Sequence, residues 1–153
     1  MNKKISIRRC VRCDKILTTR FKIKFCSNKC QATGKYLDSL KEWRDGTKNG
    51  SVGIGSRIIS STIRRYLFEK YRGKCAMCGW SKVNKVSGRI PLEVDHIDGN
   101  AENNKENNLR LICPNCHALT PHFRNLNKGN GRTWRKEKIG KIVKKEKENQ
   151  IKY

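Results

Sequence analysis

Two stretches decide the fold: RIPLEVDHIDGN at residues 89–100 and NLRLICPNCH at residues 108–117. Every second residue in the first part of the earlier stretch is apolar, which predicts a strand that ends at Asp95 and His96. The later stretch alternates again over its first residues and predicts a returning strand. Pro114 suits the first position of a helix. The predicted order is therefore strand, polar loop, strand and helix.

Every cysteine falls into a close pair. The pairs are Cys10/Cys13, Cys26/Cys30, Cys75/Cys78 and Cys113/Cys116. The N-terminal residues lack the apolar segment of a secretory signal, and no stretch approaches the roughly 20 apolar residues that span a bilayer. We therefore expect a cytoplasmic protein. Paired cysteines in that reducing compartment bind metal more often than each other, so the sequence predicts two structural Zn²⁺ sites of four thiolates each.

The formal net charge is +23, from 36 Lys and Arg residues against 13 Asp and Glu residues. Self-repulsion of this size favours a polyanionic partner, and nucleic acid is the leading one. We expect double-stranded DNA as the partner, with no membrane and no small organic cofactor, and we expect a monomer. The basic residues predicted to contact DNA are Arg57, Arg64, Arg65, Arg72, Arg124, Lys128, Arg132 and Arg135.

Four segments follow from these patterns. Residues 1–34 form an N-terminal four-cysteine zinc module that resembles a zinc ribbon or treble clef. Residues 35–56 form a short helix and a glycine-rich linker. Residues 57–123 carry a basic helix, capped by Ser56, and the predicted strand–loop–strand–helix unit. Residues 124–153 form a basic tail predicted to contact DNA. The fold class predicted from the whole pattern is α+β.

Hydrolysis of a phosphodiester needs a base for water and positive charge at the phosphoryl oxygens. A neutral imidazole accepts a proton near neutral pH. A divalent cation held by carboxylate and imidazole stabilises the developing charge. The sequence offers both kinds of group at the predicted corner, in Asp95, His96 and His117.

The combination of Asp95-His96, Asn108 and the run Cys113 to His117 resembles the HNH endonuclease motif. Together with Cys75-x-x-Cys78, it resembles the zinc-bound HNH homing endonucleases of bacteriophages. The resemblance covers roughly residues 75–123 and implies a ββα-metal nuclease domain.

The resemblance also implies a role for each residue of the motif. His96 is implied to be the general base, with Asp95 and His117 holding one catalytic Mg²⁺ or Mn²⁺. Asn108 is implied to bond the loop backbone and hold His96 in orientation, and Asn103, Asn104 and Asn107 compete with it for that role. The products implied are 5′-phosphate and 3′-hydroxyl ends. Pro121 stands where a second helical histidine would be, which favours magnesium or manganese over a transition metal.

Three alternatives stay open at this stage. A non-catalytic zinc-ribbon regulator that binds DNA explains the charge and the cysteines equally well, but it leaves Asp95, His96 and His117 without a role. A nuclease of the same fold directed at RNA, or a nonspecific toxin-like one, has the same motif. A restriction or packaging nuclease would also have this motif.

Overall fold

The computed structural model describes residues 7–18, 21, 23–53, 56–128 and 137. The chain divides into two compact units, Met1–Lys48 and Asn49–Tyr153. The boundary between them falls inside residues 35–56, the segment to which the sequence assigns a short helix and a linker.

The first unit consists of a cysteine knuckle followed by a long helix. Arg9 and Ile16 form an antiparallel bridge across the knuckle. Helix α1 spans Asn28–Arg44, and its N-cap Ser27 accepts a hydrogen bond from the backbone N–H of Cys30. The helix expected over residues 35–44 is therefore the second half of a longer one. The serine cap, three residues before Cys30, starts the helix earlier than predicted.

The glycine-rich segment is ordered by backbone pairing where it enters the second unit. Val52 N–H donates to the Ile58 carbonyl at 2.8 Å, and Ser60 N–H donates to the Gly50 carbonyl at 2.9 Å. This pairing holds the chain extended, so helix α2 spans Ser61–Lys70 and its N-cap is Ser60. The predicted cap at Ser56 is corrected by four residues.

The two predicted strands form an antiparallel hairpin. Strand β1 spans Glu93–His96 and strand β2 spans Leu109–Ile112, with Asp95 paired to Arg110. β1 starts later than the alternation from residue 90 suggests. Pro91 has no N–H for a ladder, and Leu92 N–H turns back to the Ile90 carbonyl at 2.8 Å.

A short helix and the cysteine knuckle at Cys75 and Cys78 complete the second unit. Helix α3 spans Pro114–Ala118, with Pro114 in its first turn and Cys113 as N-cap, and it contacts β1. The knuckle of the second cluster joins the sheet where Ala76 N–H donates to the Leu111 carbonyl at 2.7 Å. The order β1, β2, α3 confirms the predicted α+β class and its ββα arrangement.

The core of this unit is thin and lies between α2 and β2, which pack together. Its fully buried side chains are Ile63, Leu67, Leu109, Leu111 and Ile112. In the described part of the chain, no helix has the length and apolar character needed to span a membrane.

Leu67→Ala is expected to destabilise the second unit by about 2–5 kcal/mol, because it opens a cavity in a small core. Leu67 is 0% exposed, whereas Val86 is 99% exposed. Urea unfolding followed by circular dichroism measures the change, with Val86→Ala as the control that leaves the midpoint in place. Equal midpoints for the two variants would contradict this assignment of the core.

Candidate active site and cysteine clusters

The hairpin and α3 bring Asp95 and His117 together. Asp95 is buried on β1, and its Oδ1 lies 3.8 Å from Nε2 of His117. His117 is half-buried on α3. The two predicted ligands of a divalent cation are therefore neighbours in space, although 21 residues separate them in sequence.

Two charged side chains hold this pair in place. Glu93 Oε2 contacts Nδ1 of His117, and Arg110 Nε donates to Asp95 Oδ2 at 2.7 Å. Glu93 and Asp95 are two residues apart on β1, so they share one face of the strand. Each predicted ligand thus has one atom engaged by a neighbour, and its other donor atom faces the opposite ligand.

The donor set fits a hard divalent cation. Ligands that share an octahedral ion with bonds of roughly 2.1 Å lie about 3 Å apart when adjacent and about 4 Å apart when opposite. The separation of 3.8 Å between Asp95 Oδ1 and His117 Nε2 falls in that range. Metal-binding histidines typically donate a hydrogen bond from the N–H of their second ring nitrogen to a carboxylate, as His117 does to Glu93.

His96 is held by an asparagine of the loop. Its Nε2 lies 2.8 Å from Oδ1 of Asn104, which is buried. An amide oxygen only accepts hydrogen bonds, so Nε2 is the donor and the neutral ring keeps its lone pair on Nδ1. The orienting contact was predicted for Asn108. Within the described residues, the ring donates its hydrogen bond to Asn104.

Asn108 binds the loop backbone. Its Oδ1 accepts from the backbone N–H of Asp98 at 3.0 Å, and its Nδ2 donates to the Asn103 carbonyl at 2.7 Å. The same Nδ2 donates to Asp98 Oδ1 at 2.8 Å. Burial raises the pKa of the Asp98 carboxyl, but hydrogen bonds from Asn103, Asn100 and Asn108 lower it overall. Asp98 is therefore an anchor for the loop.

The turn after His96 requires glycine. Gly99 has a φ of 72°, and a Cβ at this position would collide with the ring of His122. The Gly99 carbonyl accepts from Asn127 Nδ2 at 2.7 Å. His122 thus packs against the turn that follows the predicted base.

Both cysteine sets form clusters whose four sulfur atoms lie within 4.8 Å of one another. The clusters are Cys10, Cys13, Cys26 and Cys30, and Cys75, Cys78, Cys113 and Cys116. Tetrahedral zinc with Zn–S bonds near 2.3 Å places sulfurs roughly 3.8 Å apart. The Sγ atoms of Cys78 and Cys113 are 3.8 Å apart, and those of Cys26 and Cys30 are 3.5 Å apart. These separations fit a shared zinc ion and are too long for disulfides.

The acidities of the thiols fit the same interpretation. Burial raises the pKa of Cys75, but backbone hydrogen bonds outweigh it and lower the pKa to about 6. Contact with the Cys78 side chain, followed by burial, raises the pKa of Cys116 to about 12. The first cluster shows the same contrast, because the pKa of Cys10 is lowered to about 6 and the pKa of Cys13 is raised to about 12. Crowded thiols do not all ionise together unless a cation lies among them.

The residues predicted to contact DNA differ in exposure. Arg64, Arg72, Arg124 and Lys128 are exposed, and Arg65 is exposed but paired with Glu69 at 2.8 Å. Arg57 is half-buried, and its Nε and Nη2 atoms each have less than 1 Å² of solvent-accessible surface. Arg132 and Arg135 lie outside the described residues.

Two side chains of the site were not singled out from the sequence: Glu93 and Arg110. Glu93 is two residues before Asp95 on a predicted strand, and Arg110 lies opposite Asp95 once the hairpin register is known. Asn104 was only one of four candidate asparagines, because an irregular loop gives no signal that selects among them.

Comparison with known proteins agrees with this geometry. Residues 75–120 match the family model described as HNH endonuclease. A curated relative, H-N-H endonuclease F-TflIV of Escherichia phage T5, is 34% identical over 99 residues, which cover 65% of this chain and 40% of the relative. The chain therefore spans less than half the length of that relative. No solved structure matches the chain.

The ββα unit carries Asp95 and His96 on β1 and His117 on α3, with a four-cysteine cluster beside it, and all of these residues lie within the match. Residues 75–120 are therefore similar to an HNH endonuclease domain, and the chain resembles a phage HNH endonuclease over 99 residues.

Cys78→Ser is expected to remove one of two bound metal equivalents, because three thiolates hold zinc more weakly than four. Metal content after gel filtration, measured by mass spectrometry, tests this. Met77→Ser is the matched control, because Met77 is in the same knuckle and is 51% exposed. Unchanged metal content in Cys78→Ser would contradict the cluster assignment.

Proposed function

We propose that the protein is a metal-dependent endonuclease that hydrolyses phosphodiester bonds in double-stranded DNA. The observation that carries the proposal is the position of Asp95 Oδ1, 3.8 Å from His117 Nε2, on the hairpin that also holds His96. A domain used only for binding has no need for this set. In such a domain, the burial of a carboxylate next to an imidazole would cost desolvation free energy and serve no function.

In the proposed mechanism, His96 is the general base. Its Nε2 is engaged by Asn104, so its Nδ1 is the atom that accepts a proton from water. The resulting hydroxide attacks the phosphorus and the bond from phosphorus to the 3′-oxygen breaks. The leaving oxygen takes a proton from solvent, which gives a 3′-hydroxyl and a 5′-phosphate.

Asp95 and His117 are proposed to hold one Mg²⁺ or Mn²⁺. Such an ion, when bound, neutralises charge on the phosphoryl and leaving oxygens. Two further residues of the chain orient the proposed ligands of this ion. Arg110 fixes one oxygen of Asp95, and Glu93 fixes one nitrogen of His117. The two cysteine clusters are proposed to hold structural Zn²⁺, because four sulfur ligands at tetrahedral spacing favour zinc over harder ions.

DNA binding is proposed to use three basic surfaces. One is the exposed face of α2 with Arg64, together with Arg72 just beyond the end of the helix, and another is the segment with Arg124 and Lys128. Arg57, Arg65, Arg132 and Arg135 are proposed as further contacts. The N-terminal module is the third surface. Its Phe21 and Ile23 are 80% and 72% exposed beside basic residues, a combination that suits contact with nucleic acid.

A homing role, in which the enzyme cuts a specific genomic site, is proposed as the biological context. It is supported by the likeness to a phage HNH endonuclease, F-TflIV of Escherichia phage T5. The enzyme is proposed to act as a monomer in the cytoplasm, which is the host's if a phage encodes it. A non-catalytic DNA-binding regulator is the rival, and cleavage separates the two.

His96→Ala is expected to lower the rate of DNA cleavage by about 100-fold or more, because it removes the general base. Supercoiled plasmid with Mg²⁺ and DNA from the source genome are the substrates, and gel electrophoresis measures nicking. His122→Ala is the matched control, because His122 packs against the turn and is given no role in the reaction.

Undiminished cleavage by His96→Ala would defeat the proposed base. Absence of cleavage by the wild type on every substrate, with tight DNA binding retained, would favour the regulator. Faster cleavage of duplex RNA than of duplex DNA would move the proposal to an RNA-directed nuclease.

Arg64→Gln is expected to reduce the slope of log K against log salt for DNA binding by about 0.9, the loss of one phosphate contact. Arg65→Gln is the neighbouring comparison. Its guanidinium is already paired with Glu69, so the slope is expected to change less. Fluorescence anisotropy without added Mg²⁺ measures both, because a chelator would also remove the structural metal. Equal slopes for Arg64→Gln and wild type would exclude this face of α2 from the interface.

A further inference from the structure

The loop between β1 and β2 is held rigidly at several points. Asn108 bonds both Asp98 and the Asn103 carbonyl, and Asn103 Nδ2 donates to Asp98 Oδ2 at 2.7 Å. Further along, Glu106 contacts the hydroxyl of Tyr66 on α2. Asn104 lies between these two anchored points, so its backbone is fixed from both sides.

The side chain of Asn104 is buried as well as fixed. It is 6% exposed, and its Oδ1 lies 2.8 Å from Nε2 of His96. A buried amide group that loses its hydrogen-bond partner destabilises the fold. The contact is therefore stabilising for both partners, and it holds the imidazole ring at one angle.

We propose that Asn104 is the positioning residue for His96: it fixes the ring with a proton on Nε2 and leaves Nδ1 free to accept the proton of water. This inference rests on the proposed nuclease function for its catalytic consequence. The contact itself does not depend on that function. Asn104 does not touch the reacting atoms, and it acts only through His96.

The hydrogen bond matters more as the reaction proceeds. When Nδ1 takes a proton from water, the ring becomes a cation and Nε2–H becomes a charge-assisted donor. The oxygen of Asn104 is already placed to accept it, so no group has to reorganise at that moment. The proton is then returned to solvent from Nδ1, and the Nε2 proton stays in place throughout.

This gives the two asparagines separate tasks. Asn108 fixes the course of the loop through Asp98 and Asn103, and Asn104 carries that rigidity to the imidazole. A change at Asn108 should therefore disturb the whole loop. A change at Asn104 should disturb mainly the ring of His96.

The first test observes the proton itself. The full chain, with its metal clusters intact and without Mg²⁺ or DNA, is labelled with ¹⁵N-histidine and studied by NMR at alkaline pH, where imidazoles are neutral. The His96 signals are those missing from His96→Gln. We expect a slowly exchanging Nε2–H in the wild type, in Asn104→Asp and in the control Asn107→Ala. We expect it to be lost in Asn104→Ala. Asn107 is an exposed residue of the same loop.

The second test measures plasmid cleavage by the same variants. Asn104→Ala is expected to lower kcat about 10- to 100-fold, the usual effect of removing a partner behind an active group. The KM for DNA should stay within about twofold, because phosphate contacts are untouched. Asn104→Asp keeps an acceptor and is expected to recover most of kcat. Thermal unfolding of each variant separates misfolding from mispositioning.

A wild-type ring protonated on Nδ1 would overturn the proposal, as would equal kcat for Asn104→Ala and Asn107→Ala. If Asn104→Ala does not fold, a loss of kcat in folded Asn104→Asp equal to that of His96→Ala would also overturn it. A wild type that cleaves no DNA but shows the expected Nε2–H would refute the nuclease function and still support the Asn104 contact.

Discussion

The register of the β1–β2 hairpin is the constraint on which the site depends. Glu93 pairs with Ile112 and Asp95 with Arg110, so both carboxylates occupy one face of β1. A slip of one residue would send that face to the other side of the sheet. Because α3 follows β2 after a single residue, His117 returns to the same face and meets both carboxylates. The buried side chains of β2 against α2 prevent the slip.

The sequence alone predicted the features that follow from hydrophobic periodicity and from the spacing of the cysteines. Paired cysteines predicted both clusters, and two alternating runs with Pro114 behind them predicted the ββα order. Boundaries were harder, because they depend on backbone pairing at a distance. Ser56 and Ser60 are both good caps, and only the pairing of the preceding segment selects Ser60. The contact between Asn104 and His96 was out of reach for a similar reason, since an irregular loop has no period.

The surface of the chain and the hairpin site differ in the sign of their charge. The chain as a whole carries +23, yet the hairpin gathers Glu93, Asp95 and Asp98 within six residues. A divalent cation would be repelled by the general field and is drawn in only by this local cluster of carboxylates. A phosphate backbone is attracted by the general field and repelled by the cluster. A bound cation removes that second repulsion, so metal and DNA are expected to favour each other's binding.

A thin core raises the question of how the site is held with the precision that the proposed hydrolysis demands. Five fully buried side chains between one helix and one strand cannot fix a polar loop. Here the loop is fixed by amide groups, because Asn108 and Asn103 bond to Asp98 at three points. Such bonds are directional and leave little freedom when all partners are satisfied. The asparagines after β1 therefore replace the packing that a larger enzyme would use, and this explains why a loop so polar can carry a buried residue such as Asn104.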